Sequence, residues 1–385
     1  MKIAFFYLII FFSFLNINAQ NKQPFDSIQI NSNQRILNNL SGIPLGVTIG
    51  GYGEILFNKP RNLNAEIDVQ RLVLLFGYKF DERVQFVTEI EFEHVKEVYI
   101  EQAFLNYNIV SGLNLRVGLM LIPMGIVNEF HEPTTFNGVE RPSMDNKIIP
   151  TTWREIGIGA SGRIDEMSLR YQAYLFNGFL SHDGNSGILK GSNGLRSGRQ
   201  KGAKSTMSNV NIAGKVDYFG VRGLRMGLSG YHGKTQAVDQ QNEIPGSEIG
   251  VSMIALDGRY SYKKFSARGQ YASGTFSDTD LYNEITGRDL GKKISGYYIE
   301  SAYNILPITN KQSIVGFVRY ENFNTHHEVG SFLIKNPEYH RKEWTFGFSY
   351  HLSPGTVFKI DYQNKTTLIK DSNKGQFNMG VGVWF

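Results

Sequence analysis

The chain has no cysteine among its 385 residues. That excludes disulfide frameworks, thiolate zinc sites, iron–sulfur clusters, cysteine nucleophiles and acylation at a lipoprotein cysteine. Charge is scarce as well: Asp, Glu, Lys and Arg make up 19%, with a formal net charge of +5. A nucleic-acid binder would gather its basic residues on one element, and none here does so, so no nucleic-acid partner is expected. Beyond the first twenty residues no apolar run approaches the roughly 18 residues of a membrane helix, which rules out a helical membrane protein. Nothing in the sequence implies a cofactor.

Glycine and aromatics are plentiful instead: 41 Gly, 27 Phe and 20 Tyr, against 11 Pro. The chain opens with Lys2, an apolar stretch from Ile3 to Leu15, and small or apolar Ile17 and Ala19 flanking a cut before Gln20. This pattern predicts a secretory signal peptide over residues 1–19. Residues 20–45 are polar and are expected to form a short, irregular periplasmic lead without a packed core.

From Gly46 onward the period is two. Val84, Phe86, Ile90 and Phe92 alternate with Gln85, Glu89 and Glu91. Leu113, Leu115, Val117, Leu119 and Leu121 alternate with Asn114, Arg116 and Gly118. Phe377, Met379, Val381, Val383 and Phe385 do the same with Asn378, Gly380 and Gly382. Successive side chains of a strand point to opposite faces, so each segment has one apolar and one polar face. The segments run to about 10–14 residues, where ordinary strands have about 5–6 and tilted membrane strands about 9–11. Tyr78, Phe80, Tyr107, Tyr260, Tyr262, Tyr350 and Trp384 sit near segment ends, where interfacial girdles lie.

Sixteen such segments are expected, starting near residues 46, 66, 82, 96, 113, 153, 166, 207, 222, 249, 264, 294, 312, 341, 355 and 374. Connections after even-numbered segments are short, and those after odd-numbered ones are mostly long: 123–152, 177–206, 233–248, 275–293 and 324–340. The expected fold class is therefore all-β, a transmembrane antiparallel barrel over 46–385 with short periplasmic turns and long outer loops. The connection near His94–Lys96 is short for an outer loop and is the weakest pairing.

A barrel this wide leaves an aqueous lumen. The polar strand faces assign Arg71, Arg116, Arg170, Arg268, Arg319, Glu321 and Lys359 to its lining. Glu89, Glu91, Glu101, Lys215, Asp217, Arg225, Asp257, Arg259, Glu300 and Asp361 share those faces. Two readings stay open: a wall of mutually neutralised pairs, or a basic ladder over which anions move. Arg319 has Glu321 as its neighbour two residues on, whereas Arg116 has no acid on its strand, so Arg116 is expected to influence ions more. The segment 123–152, carrying His131, Glu132, Arg141, Asp145 and Lys147, is expected to fold inward as a constriction, with Arg141 and Lys147 at it; the alternative is an outer-surface loop. Loop 177–206 has Lys190, Arg196, Arg199, Lys201 and Lys204 against the single acid Asp183. It draws anions, meets lipopolysaccharide phosphates or is simply solvated. Phe385 is expected to serve as the signal read by the barrel assembly machinery.

With these segments in place, GLMLIPMG at 118–125, VERPSMDNKIIPTTWREIGIG at 139–159, YLFNG at 174–178, RYENFNTH at 319–326 and EWTFGFSYHLSP at 343–354 carry a resemblance. The chain resembles the phosphate-selective porin O and P family across roughly residues 45–385. The resemblance implies a sixteen-stranded barrel, usually a homotrimer, conducting small anions; outer-membrane lipid and lipopolysaccharide are its expected surroundings. Where family members often read G-Q-F-K-x-P-F-G, this chain has Leu119 and Leu121, which weakens an expectation of phosphate preference. The reading is a passive porin with mild anion preference and no catalytic residue. The rival is a surface adhesin or assembly scaffold on loops 177–206 and 275–293. A lipase-like His–Ser pair in 182–187 has the wrong spacing, and His326–His327 lacks a third metal ligand.

Overall fold

The computed structural model describes residues 30–238, 244–370 and 372–385; the signal-peptide segment lies outside them. Sixteen antiparallel strands close into one barrel. In chain order they are β1 (Gly46–Pro60), β2 (Glu66–Lys79), β3 (Val84–Glu93), β4 (Glu97–Val110), β5 (Leu113–Leu121), β6 (Arg154–Ile164), β7 (Leu169–Phe176) and β8 (Asn211–Tyr218). They continue with β9 (Leu224–Lys234), β10 (Gly250–Tyr262), β11 (Phe265–Phe276), β12 (Lys293–Asn304), β13 (Ser313–Glu328), β14 (His340–Ser353), β15 (Thr356–Thr367) and β16 (Lys374–Trp384). Each pairs with its neighbours in sequence, and β1 meets β16 in a register that sets Tyr52 opposite Trp384.

The alternation in sequence becomes an alternation of faces. On β10, Val251, Met253, Ala255, Asp257 and Arg259 are buried toward the lumen, while Ile254 and Leu256 are about half exposed on the outside. On β14, Trp344, Phe346 and Phe348 look outward, and Glu343, Thr345 and Ser349 look in. An apolar exterior is the cheap surface here, because a bilayer solvates it. The short β3–β4 connection is a true tight turn. His94 and Val95 take φ of 52° and 66°, and the Lys96 N–H donates to the Glu93 carbonyl at 3.2 Å. Two positive-φ residues are what a two-residue hairpin matching strand twist requires.

The N-terminal lead differs from expectation. Ser32–Ser41 is a helix, α1, started by an Asn31–Gln34 capping box. Ile36 and Leu40 are fully buried against the inner wall of β2. Gly77 is the reason they fit: a Cβ there would come within 2.5 Å of the Ile36 methyl. Ten residues are too few for a stable isolated helix in water. The lumen supplies the apolar surface that the polar composition of the lead concealed. Arg35 lies over the Trp384 ring at 4.6 Å, tying α1 to the closing strand.

Phe385 completes that closure: its N–H donates to Gly51 at 2.8 Å, its carbonyl accepts from Gly51 at 3.0 Å, and its ring lies over Gly51. Deleting Phe385 is expected to lower the amount of folded, heat-modifiable barrel in outer-membrane fractions on gels. An undiminished level would remove any assembly role for this residue.

Candidate functional site

Residues 122–153 leave β5, enter the lumen and return to β6. Their apolar side chains are buried there, including Ile122, Met124, Ile126, Val127, Phe130, Val139, Met144, Ile148 and Ile149. A backbone placed inside a barrel must find partners for its N–H and C=O groups. The inner strand faces provide them. The Ile126 N–H donates to Gln270 at 2.6 Å, Val139 to Asp361 at 2.6 Å and Met144 to Glu321 at 3.0 Å. Carbonyls are met by cations: Thr135 accepts from Arg268 at 3.0 Å, Glu140 from Arg319 at 3.3 Å, and Phe136 and Gly138 both from Lys359 at 2.8 Å.

Side chains of the segment join the same network. Glu129 sits 3.2 Å from Lys215 and 3.5 Å from Arg170, and accepts from Gln172 at 2.6 Å. Ser143 donates to Glu343 at 2.7 Å, and Asn137 to Glu300 at 2.8 Å. On the wall, Glu54 and Glu91 flank Arg71 at 2.7 and 3.3 Å. Arg319 lies 2.9 Å from Glu321 and 3.3 Å from Glu300, which also holds Arg268 at 2.7 Å.

The wall residues singled out in the sequence do face inward, but most are not open to permeating ions. Arg319 and Glu321 have no exposed surface, and Arg71 and Lys359 are 6% exposed. Arg319, Glu321 and Lys359 bond to the inserted segment, and Arg71 is held by Glu54 and Glu91. Arg170 and Arg116 are less covered. Arg116 donates to Asn106 and to the Tyr174 hydroxyl, each at 3.1 Å, and stacks on Phe104. Leu119 pairs with Ile156, whose side chain is on the outer face. Leu121, which stands where the family pattern has its lysine, is buried opposite Arg154 at the end of β5.

Charge without an acidic partner gathers elsewhere. A cavity of about 410 Å³ lies between the inserted segment and the wall. Arg71, Arg141, Lys147, Arg196 and Lys365 border it, against Glu54, Glu93 and Glu140. Two of those acids are occupied, Glu54 by Arg71 and Glu140 by Asn58. Among the described residues, Arg141, Lys147, Arg196 and Lys365 have no carboxylate at salt-bridge distance. Arg141 instead donates to the His131 carbonyl at 2.9 Å, Lys147 to the Asn193 side chain and Arg196 to Thr151. Burial, with Arg341 and Arg196 nearby, pulls the Lys147 ammonium down to about 8. Arg196 comes from loop 177–206, which the sequence marked as basic without placing it at a constriction.

A second cluster lies deeper. His131 of the inserted segment meets Tyr52, Glu89 and Glu101 of the wall, and all four are fully buried. In the loop at 182–187, Ser186 bonds to Asp183, and the ring of His182 accepts from the Gly184 N–H.

The family model described as phosphate-selective porin O and P matches residues 52–376. An uncharacterised protein of Aquifex aeolicus strain VF5 is 35% identical over 349 residues, covering 85% of this chain and 78% of that protein. Among solved structures, the outer-membrane channel DcaP of Acinetobacter baumannii aligns over 89% of this chain and 98% of its own, at TM-score 0.58 and 10% identity. An anion-selective porin from Comamonas acidovorans aligns over 89% and 100%, at TM-score 0.56 and 12% identity. OmpT of Vibrio cholerae, solved in a trimer form, covers 89% and 100% at TM-score 0.54 and 11% identity.

The Asp361 carboxylate carries both the Val139 N–H and, at 2.7 Å, the Asn378 amide, and is 3% exposed. Asp361→Ala leaves a buried N–H without its acceptor, at a cost of about 1–3 kcal/mol. The expected outcome is a lower thermal midpoint and a noisier open-channel current as the segment loosens. An unchanged midpoint and a quiet current would show that the segment is held without this contact.

Proposed function

The chain belongs to the phosphate-selective porin O and P family of outer-membrane channels, and on that premise we propose a passive pore for small hydrophilic solutes with a mild anion preference. One observation carries the preference: Arg141, Lys147 and Arg196 border the cavity beside the inserted segment with no carboxylate partner. Charge on a constriction selects ions because the Debye length at physiological salt, about 8 Å, is comparable with a pore radius. Arg71, Arg268 and Arg319 contribute little in this reading, since they spend their charge on the segment's carbonyls and on buried acids. The sign of selection thus resides on the loops and the stiffness on the strands. No dedicated phosphate site is part of the proposal.

The chain is proposed to be exported by residues 1–19, to stand in the lipid with its short turns toward the periplasm, and to assemble as a homotrimer. The trimer form of OmpT is consistent with that assembly. Loop 177–206 is proposed to face outside, near lipopolysaccharide. A scaffold or adhesin without transport is the competing class, and single-channel conductance in planar bilayers separates the two.

Reversal potentials in a salt gradient test the charge assignment. Arg141→Glu changes the local charge by two units. At about 8 Å in water that shifts an ion's energy by about 1 kcal/mol before screening and by roughly 0.4 kcal/mol after it. The permeability of anions should fall by a factor of about two and that of cations rise equally. The preference should also decline as pH is raised through about 8, where Lys147 loses its proton. Lys147→Arg, which stays charged, should abolish that pH dependence. A ratio indifferent to both substitutions would place the selective charge outside this cavity.

A further inference from the structure

The cluster beneath the inserted segment has an electrostatic problem of its own. His131 Nε2 lies 3.4 Å from Glu101 Oε2, 3.9 Å from Glu89 Oε1 and 3.0 Å from the Tyr52 hydroxyl. That hydroxyl is 2.7 Å from Glu89 Oε1 and 3.3 Å from Glu101 Oε2. The other ring nitrogen, Nδ1, is 3.2 Å from the Asn128 carbonyl. A carbonyl only accepts, so Nδ1 carries a hydrogen, and Nε2 either presents its lone pair to the cluster or carries a second proton toward Glu101. With His131 neutral, four electron-rich atoms converge with one phenolic proton between them.

The nearby cations do not settle the balance. Arg71 is engaged by Glu54 and Glu91, and Arg154 donates to the carbonyls of Ile100 and Thr152. Neither is at ion-pair distance from Glu89 or Glu101. Glu89 Oε2 accepts from Gln102 at 2.6 Å, but Glu101 Oε1 is buried with no hydrogen-bond partner. Two buried carboxylates cost several kcal/mol unless a cation pairs with them, either a second proton on His131 or a metal ion. Something positive belongs among these atoms.

We propose that Glu89, Glu101 and His131 form a structural site for a zinc-class divalent cation, with the Tyr52 hydroxyl at or beside the fourth position. Ligands at about 2.0–2.2 Å in a tetrahedron stand roughly 3.3–3.6 Å apart. The His131–Glu101 and His131–Glu89 separations of 3.4 and 3.9 Å need only small rotations to reach that spacing. One imidazole with two carboxylates is a borderline donor set that suits zinc better than calcium or magnesium. The carbonyl behind Nδ1 and the amide behind Glu89 are the outer contacts such ligands use. Tyr52, Glu89 and Glu101 come from β1, β3 and β4, and His131 from the inserted segment. The ion would pin the segment to the wall, so it acts on assembly and stiffness rather than on ion choice.

Because the site is buried, it must load as the chain folds. The full mature chain is refolded from denaturant with zinc or with a chelator, then dialysed, and its metal content and thermal midpoint are measured. The expected result is about one zinc per chain, and a higher midpoint than that of the chelated sample. His131→Gln and Glu101→Gln should each abolish bound zinc and make the midpoint indifferent to it, while the barrel remains heat-modifiable. If either variant fails to fold, wild-type chain refolded with cobalt decides: a visible tetrahedral d–d absorption band supports the site, and its absence overturns it. A folded wild-type barrel free of zinc would overturn the proposal in favour of a proton on His131 Nε2. Zinc retained by both variants would overturn it as well.

Discussion

The structure depends on one constraint: a peptide chain laid inside a barrel must have every buried N–H and C=O satisfied. Residues 122–153 meet it by bonding to charged side chains of the wall. Asp361 and Glu321 accept backbone N–H groups, while Arg268, Arg319 and Lys359 donate to carbonyls. Charged groups suit this task because a charge-assisted hydrogen bond is roughly twice as strong as a neutral one. The wall residues in turn are tolerable inside only because the segment and its acids surround them. Neither the loop path nor the buried charges makes physical sense without the other.

That exchange divides the labour of the lumen. Arg71, Arg268 and Arg319 on the strands are committed, so their fields are cancelled within a few ångströms by Glu54, Glu91, Glu300 and Glu321. Arg141, Lys147 and Arg196 hang from loop backbone, bond to neutral groups and keep their charge uncompensated beside the cavity. Arg141 and Lys147 belong to the segment that the wall holds, so a change in the wall that moved it would also move these charges beside the cavity.

The barrel was legible in the sequence because period two is a local property: sixteen starting points fall within four residues of the observed strands. Inward direction was legible for the same reason, and Arg319 beside Glu321 followed from a two-residue step. Burial was not legible, since it depends on a segment distant in sequence; nothing around Lys359 announces the Phe136 and Gly138 carbonyls. The helix at Ser32–Ser41 was hidden by its polar composition, although Ile36 and Leu40 stand four apart, the spacing that puts them on one helical face. Arg196 was visible as a charge but not as a neighbour of Arg141. The meeting of His131 with Glu89 and Glu101 was likewise out of reach, since no short motif links three elements.

The inner wall also decides which positions tolerate change. Removing one member of a buried charged pair typically costs about 3–5 kcal/mol, because its partner is left uncompensated. Arg319 and Glu300 are in that position, and a single substitution at either threatens the barrel rather than its selectivity. Outward residues such as Ile254 or Phe348 need only remain apolar, since lipid accepts many shapes. Between these extremes lie the half-buried cations at the cavity, whose neutral partners survive their loss. The proposed ion preference is therefore the property easiest to alter without unfolding the pore. On the proposed reading, the costs of polar burial inside the barrel, rather than any shape of the pore itself, explain why the preference is borne by a loop.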